Sequence, residues 1–220
     1  MFSSALLHWI AAGTMLLDHV GAFIFHDEFQ ILRIVGRIAF PLYALMIAEG
    51  FRHTRSQSKY FTRVLILALV SQIPILLISI QIESRLPLNI LFGFALAILA
   101  LRFIHSGWRG ALIAATATVA VVLLGIDYGA LTVLLPLFFY LAQSIKKRPL
   151  RILVNASIVL FALVFQIIVS PWFATPYIIL AMPFVCLYNG KKGSLAAPRW
   201  IRYAFYPTHL LAIALVLWLN

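Results

Sequence analysis

The residues of this sequence that could do chemistry are few, and most of them interrupt apolar runs. Asp18 and His19 stand in the first such run, and Arg33, Arg37 and Glu49 in the second. Asp127 and Tyr128 open the sixth, and Tyr206-Pro207-Thr208-His209 lies within the last. A charge at the centre of a membrane helix costs about 2.5–3.5 kcal/mol on insertion scales, so such residues are seldom idle. A histidine can be neutral at modest cost and titrates near neutral pH, which suits His19 and His209 to proton transfer. Either can equally be a core histidine that bonds a neighbouring helix. Adjacent residues of a helix point about 100° apart, so Asp18 does not orient His19. Asp18 is expected to pair with Arg33 or Arg37 across a helix interface, an arrangement that also serves simply to fix packing.

The elements that must position these residues follow from composition. Of 220 residues 64% are hydrophobic and only 10% charged, with a mean hydropathy of +1.03. A soluble domain has about 45–50% apolar and about 25% charged residues, and no aqueous fold buries such an excess. Apolar stretches of about 20 residues between short polar breaks solve the problem in lipid. The expected fold is therefore all-α, a single polytopic membrane bundle over 1–220, of about nine helices. They are placed near 5–25, 31–52, 60–81, 88–104, 109–124, 127–145, 150–169, 172–189 and 200–219. The breaks hold Pro87 with Arg85, Gly107, Gly125, Pro149, Pro171, and Gly190 with Gly193. The first run lacks a basic leader and a cleavage site, so it reads as a retained helix.

The net charge of +11 does not point to nucleic acid, because the basic residues sit in short clusters between apolar runs. Arg52, Arg55, Lys59 and Arg63 flank the second connection, Arg102 and Arg109 the fourth, and Lys146, Lys147, Arg148 and Arg151 the sixth. Lys191, Lys192, Arg199 and Arg202 surround the eighth. The odd connections (His26-Asp27-Glu28, Glu83 with Arg85, Asp127, Ser170-Pro171) are poor in Lys and Arg. The positive-inside rule then expects a cytoplasmic N-terminus and an outside C-terminus in a bacterial inner membrane. Trp172, Trp200 and Trp218 fall where interfacial anchors belong. With about 1.5 Å of rise per residue, His19 and Arg37 reach similar depth, about 6 Å outward of the centre. Arg33 lies one turn further out and His209 near mid-span. Asp18, His19, Arg33, Arg37 and His209 can converge in one polar layer if the first, second and last helices are neighbours.

No His, Cys and carboxylate grouping has metal-ligand spacing, so no metal is expected; Glu49 is read as a local partner of Arg52 or His53. The lone Cys186 is an inert packing residue. Two basic-side features could hold phosphate: Arg52, Arg55, Lys59 and Arg63, and the segment Asn189-Gly190-Lys191-Lys192-Gly193, whose glycines free backbone N–H groups. Both could also be orientation signals alone. The second is no P-loop, since the required spacing is absent.

At these motifs the chain resembles the TraX family, named for the F-pilin acetylation protein. The resemblance rests on Leu16-Leu17-Asp18-His19-Val20-Gly21, Leu32-Arg33-Ile34-Val35-Gly36-Arg37-Ile38-Ala39-Phe40-Pro41 and Ala48-Glu49-Gly50-Phe51-Arg52-His53-Thr54-Arg55. It continues through Ser71-Gln72-Ile73-Pro74, Leu88-Asn89-Ile90-Leu91-Phe92, Asp127-Tyr128-Gly129, Leu187 to Gly193, and Phe205-Tyr206-Pro207-Thr208-His209-Leu210. One departure is Ile75-Leu76-Leu77, where the family pattern carries an aromatic and often an acidic residue. The resemblance implies a membrane acyltransferase that moves an acetyl group from acetyl-CoA to an amine or hydroxyl. It makes His19 the leading catalytic candidate, supported by Asp18, Arg33 and Arg37, with His209 as the second histidine. The donor's phosphates would meet some of Arg52, Arg55, Lys59, Arg63, Asn189, Lys191 and Lys192. Acceptor contacts would come from Asp127, Tyr128 and Tyr206. Membrane lipid and a small-molecule or peptide amine are the expected partners. A permease for a small polar molecule is the rival reading, though no internal repeat of the kind many transporters carry is visible.

Overall fold

The computed structural model describes residues 1–25, 28–84, 86–194 and 198–219. His26, Asp27 and Arg85, which enter the loop pattern above, lie outside the described residues, as does the side chain of Arg199. The helices are α1 Ser4–Phe23, α2 Gln30–Gly36, α3 Ala39–His53, α4 Gln57–Gln81, α5 Ile90–Arg102, α6 Trp108–Leu123, α7 Leu131–Ala142 and α8 Arg148–Val169. A 3-10 segment, Thr175–Ala181, runs into α9, Met182–Cys186, and α10 spans Arg199–Leu219. Five apolar stretches are long enough to cross a membrane, Gln30–His53 counting as one, and four shorter apolar helices stand at the other expected positions.

The outward faces identify the solvent. Ile66, Leu69, Ile73, Leu76 and Ile80 form an exposed stripe along α4, and Leu153, Leu160, Val164 and Ile168 another along α8. Both have the spacing of one helix face. In water such patches would be sticky; against lipid tails they are the matching surface. The chain is thus a polytopic helical membrane protein. The stretch Gln30–His53 is the central one, with 56% of its most apolar window buried against 22–33% for the other four long stretches. Leu42, Leu45 and Ala48 of α3 pack with Phe94 of α5 and Phe139 of α7 in the main core. A smaller cluster joins Ile75 and Ile78 of α4 to Leu210, Ile213 and Ala214 of α10. α1 packs on α2, α3 and α10, so the first, second and last stretches are neighbours.

Every Lys and Arg among the described residues except Arg33 and Arg37 lies in or beside the connections α3–α4, α5–α6, α7–α8 and α9–α10. These meet at the end where α1 begins: Lys191 and Lys192 bond the first residues of α1, Tyr188 bonds Glu49, Arg102 bonds Ser58 and His105 contacts Tyr140. This end is called the basic face below.

Three expected helices are interrupted, each for a local reason. The second breaks at Arg37–Ile38, where the bonds tighten to Arg37 N–H on Ile34 and Ile38 N–H on Val35, each 3.2 Å. Pro41 has no N–H to give the Arg37 carbonyl, and its ring would collide with it. The sixth starts only at Leu131, because Asp127 to Gly129 form a turn with Tyr128 at φ +60°. The eighth is a 3-10 segment followed by a short helix, because Pro183 cannot bond back to Ile179. α5 and α7, of 13 and 12 residues, span only about 20 Å at 1.5 Å per residue, short of a hydrocarbon core of about 30 Å. Their opposite-face ends meet irregular backbone, tied by the Asp127 N–H on the Leu88 carbonyl at 3.1 Å. Non-helical backbone at such depth is tolerated where it lines a polar cavity.

Candidate functional site

α1 sends its two adjacent polar residues to different neighbours. Asp18 faces α2. Its carboxylate takes Arg37 Nη2 at 2.6 and 2.5 Å and Arg33 Nη1 at 2.9 Å, while its own carbonyl accepts from Arg33 Nη1 at 2.8 Å. Arg37 Nε also donates to the Arg33 carbonyl at 3.4 Å. All three side chains are largely buried. Two glycines permit this approach: a Cβ at Gly36 would overlap the Asp18 side chain, and one at Gly21 would sit 2.9 Å from Leu32 Cβ and 3.1 Å from Arg33 Cδ. Both belong to the sequence motifs that hold Asp18 and the arginines.

His19 turns instead toward α10. Its Nδ1 lies 2.7 Å from His209 Nε2, with the ring planes 7° apart and the centroids 5.0 Å apart. Nitrogens this much closer than the centroids mean that the rings meet edge to edge, nearly in one plane. His209 Nδ1 donates to the Phe205 carbonyl at 2.7 Å, within its own helix. Tyr206 stands edge-on to both imidazoles, with centroids 6.2 Å from His19 and 5.6 Å from His209. The structure thus brings Asp18, Arg33 and Arg37 together at one interface of α1 and His19, His209 and Tyr206 at the adjoining one, with both arginines within electrostatic range of His19.

Next to the arginines, on the face away from the basic one, is a cavity of about 190 Å³ lined by Arg33, Arg37, Asp127, Tyr128, Gln166, Ser170, Trp172, Thr175 and Ile178. Tyr128 lies under the Arg37 guanidinium at 5.4 Å and stacks on Phe40 at 4.1 Å between centroids. Asp127 accepts from the Tyr128 N–H at 2.9 Å. Trp172, expected as an interfacial anchor, packs against both guanidinium groups, 4.8 Å from Arg33 and 5.2 Å from Arg37. Gln166, Ser170 and Thr175 also line the cavity, though the sequence does not mark them as site residues. They are ordinary polar residues that nothing in the spacing sets apart; only the fold shows them facing one cavity.

On the basic face the expected phosphate contacts are spread out. Arg52 lies 4.0 Å from Glu49, which also bonds Tyr188 Oη at 2.9 Å and approaches His53 at 3.4 Å. Arg63 sits over the Tyr60 ring at 5.9 Å, while Arg55 and Lys59 are exposed. The glycine-lysine segment is docked rather than open. The carbonyls of Lys191 and Lys192 accept from the N–H groups of Ser4 and Ala5 at 2.8 and 3.0 Å, capping the start of α1. The Lys191 N–H, expected to be available, donates to Asn189 Oδ1 at 2.8 Å. The lysine side chains remain exposed, and Lys192 joins Arg202 at a narrow cleft between α1, α3 and α10. His8, Trp9, Tyr43 and Phe205 line that cleft further in.

These positions coincide with the segments that carried the resemblance, and comparison with known proteins decides the matter. A family model described as "TraX protein" matches residues 3–217. The chain belongs to the TraX family. Among curated proteins this TraX chain is similar to a probable fimbrial assembly protein FimC, serogroup H1, of Dichelobacter nodosus. The two are 32% identical over 95% of this chain and 93% of that protein. It is also 27% identical to an uncharacterised protein of Rickettsia prowazekii (strain Madrid E), over 77% of this chain and 65% of the relative. No solved structure matches significantly.

Proposed function

We propose that this TraX-family protein is a membrane-embedded acyltransferase that moves an acetyl group from acetyl-CoA to an amine or hydroxyl. The observation that carries the reading is the contact of His19 with His209 in a polar layer between a cleft on the basic face and a cavity on the other. Tyr43 lines the first and Asp127 and Tyr128 the second, and all three lie within electrostatic range of Tyr206. Acetyl-CoA would enter from the basic face, with Lys192 and Arg202 at the cleft, and Arg52, Arg55, Lys59, Arg63 and Lys191 elsewhere on that face, available to its phosphates. Its thioester arm would follow the apolar wall of the cleft past Phe205. The acceptor would occupy the opposite cavity among Asp127, Tyr128 and Trp172.

The chemistry then needs one base and one anion site. His19 takes a proton from the acceptor as its nitrogen or oxygen attacks the thioester carbonyl. The arginines, fixed by Asp18 and stacked on Trp172 and Tyr128, stabilise the tetrahedral oxyanion in a low-dielectric site. Collapse breaks the C–S bond, and the CoA thiolate takes the proton back from His19. A peptide amine is one acceptor class that the relative named for fimbrial assembly makes worth including. The test is CoA thiol release by purified protein in nanodiscs, with and without a panel of amines and alcohols. Turnover in wild type, lost in folded His19→Ala, supports the reading. Flux of a polar solute without thioester cleavage in any form would replace it by a transporter.

A further inference from the structure

The hydrogen bonds of the two histidines determine where each proton sits. A backbone carbonyl only accepts, so the 2.7 Å contact to Phe205 requires a proton on His209 Nδ1. A neutral His209 is then bare at Nε2, and Nε2 is the atom 2.7 Å from His19 Nδ1. That contact needs one proton, and it must come from His19 Nδ1. A neutral His19 therefore carries its proton toward His209 and presents an unprotonated Nε2. We infer that His209 is a positioning residue, which, anchored on the Phe205 carbonyl, fixes His19 in the tautomer whose Nε2 is the proton acceptor. This rests on the proposed acyl transfer for its use, but the tautomer itself does not.

The arrangement has the logic of a nucleophile-activating chain in which a carbonyl, rather than a carboxylate, closes the far end. When His19 Nε2 takes the acceptor's proton, the positive charge is shared as the Nδ1 proton leans toward His209 Nε2. Among the described residues, the charged groups within electrostatic range of His19 are Arg33 and Arg37, on and just after α2, each paired with Asp18; Tyr206 faces both rings from α10. Asp18 is committed to the two arginines, and among the described residues no carboxylate bonds His19 to do this work. Phe205 and Phe23 cover the ring faces, with centroids 5.1 Å from His209 and 5.7 Å from His19, and limit rotation. Pro207, between Phe205 and His209, supplies no N–H of its own to this turn of α10.

The direct test is ring-nitrogen NMR of histidine-labelled protein in nanodiscs, with His19 assigned by its loss in His19→Gln. The neutral protein is expected to show His19 and His209 both protonated at Nδ1 and bare at Nε2. His209→Leu should leave His19 in a mixture of tautomers and lower kcat for CoA release by about 10²-fold or more, with KM for acetyl-CoA little changed. His209→Gln offers an oxygen to the His19 N–H but cannot take its proton. It should restore the single tautomer and part of the rate. His19 protonated at Nε2, or unchanged in tautomer in His209→Leu, overturns the inference. An absence of CoA release in wild type would instead remove the acyltransferase reading and leave the tautomer result standing.

Discussion

Asp18 is the residue on which most of the polar layer depends, because one carboxylate neutralises two guanidinium groups. Removing one partner of a buried ion pair leaves an uncompensated charge and costs about 3–5 kcal/mol. Asp18→Asn should therefore lower stability by that order in reversible unfolding from mixed micelles, more than Glu49→Gln at the edge of the basic face. Arg37→Gln should have a different signature. Arg33 still pairs with Asp18, so the fold survives. CoA release, measured at saturating acetyl-CoA, should fall by about 10²–10³ if the guanidinium stabilises the oxyanion. Much of this layer was legible in the residues: polar groups at matched depth, and an Asp18 pointed away from His19 by helix geometry. The direct His19–His209 contact was not, because it depends on α1 and α10 being neighbours across 190 residues of chain. The contact of Trp172 with the arginines was hidden for a related reason. A tryptophan near a span end fits an interfacial belt equally well, and only the packing of the 3-10 segment against α2 turns it toward the arginines.

At the scale of elements, periodicity located the helices and the prolines and glycines shaped them. The nine expected positions agree closely with the helical segments of the structure, because apolar length is a strong signal in a membrane chain. The interruptions at Arg37, Asp127 and Thr175 were not resolved by it, since an apolar run reads alike whether its backbone is α, 3-10 or a turn. The two sides of α1 allow a comparison of glycines. Gly36 meets the Asp18 side chain, whereas Gly13 has nothing within 4 Å of an added Cβ. Gly36→Ala should force α1 and α2 apart and cost about 1–3 kcal/mol, as overpacking does. Gly13→Ala should be neutral or stabilising by up to about 1 kcal/mol through helix propensity. Equal effects in the same unfolding assay would mean that the close α1–α2 contact is not what holds the layer.

In the whole molecule, acyl transfer across the polar layer needs two faces with different tasks. The basic face carries the clustered Lys and Arg and the cleft between α1, α3 and α10, and the other carries the cavity beside Asp127. By the positive-inside rule the basic face is expected in the cytoplasm. In a background with Cys186→Ala, a cysteine at Ser56 should react with an impermeant thiol reagent only after cells are opened, and one at Ser170 should react in intact cells. Acyl transfer through the polar layer is tested most directly by the same sidedness. Protein is reconstituted in one orientation in liposomes, with labelled acetyl-CoA on the basic face and a panel of primary amines confined to the other. Labelled amine is expected in the acceptor compartment, and none with His19→Ala. Labelled product formed only when donor and acceptor share a compartment, or equal yield from His19→Ala, would contradict this transfer.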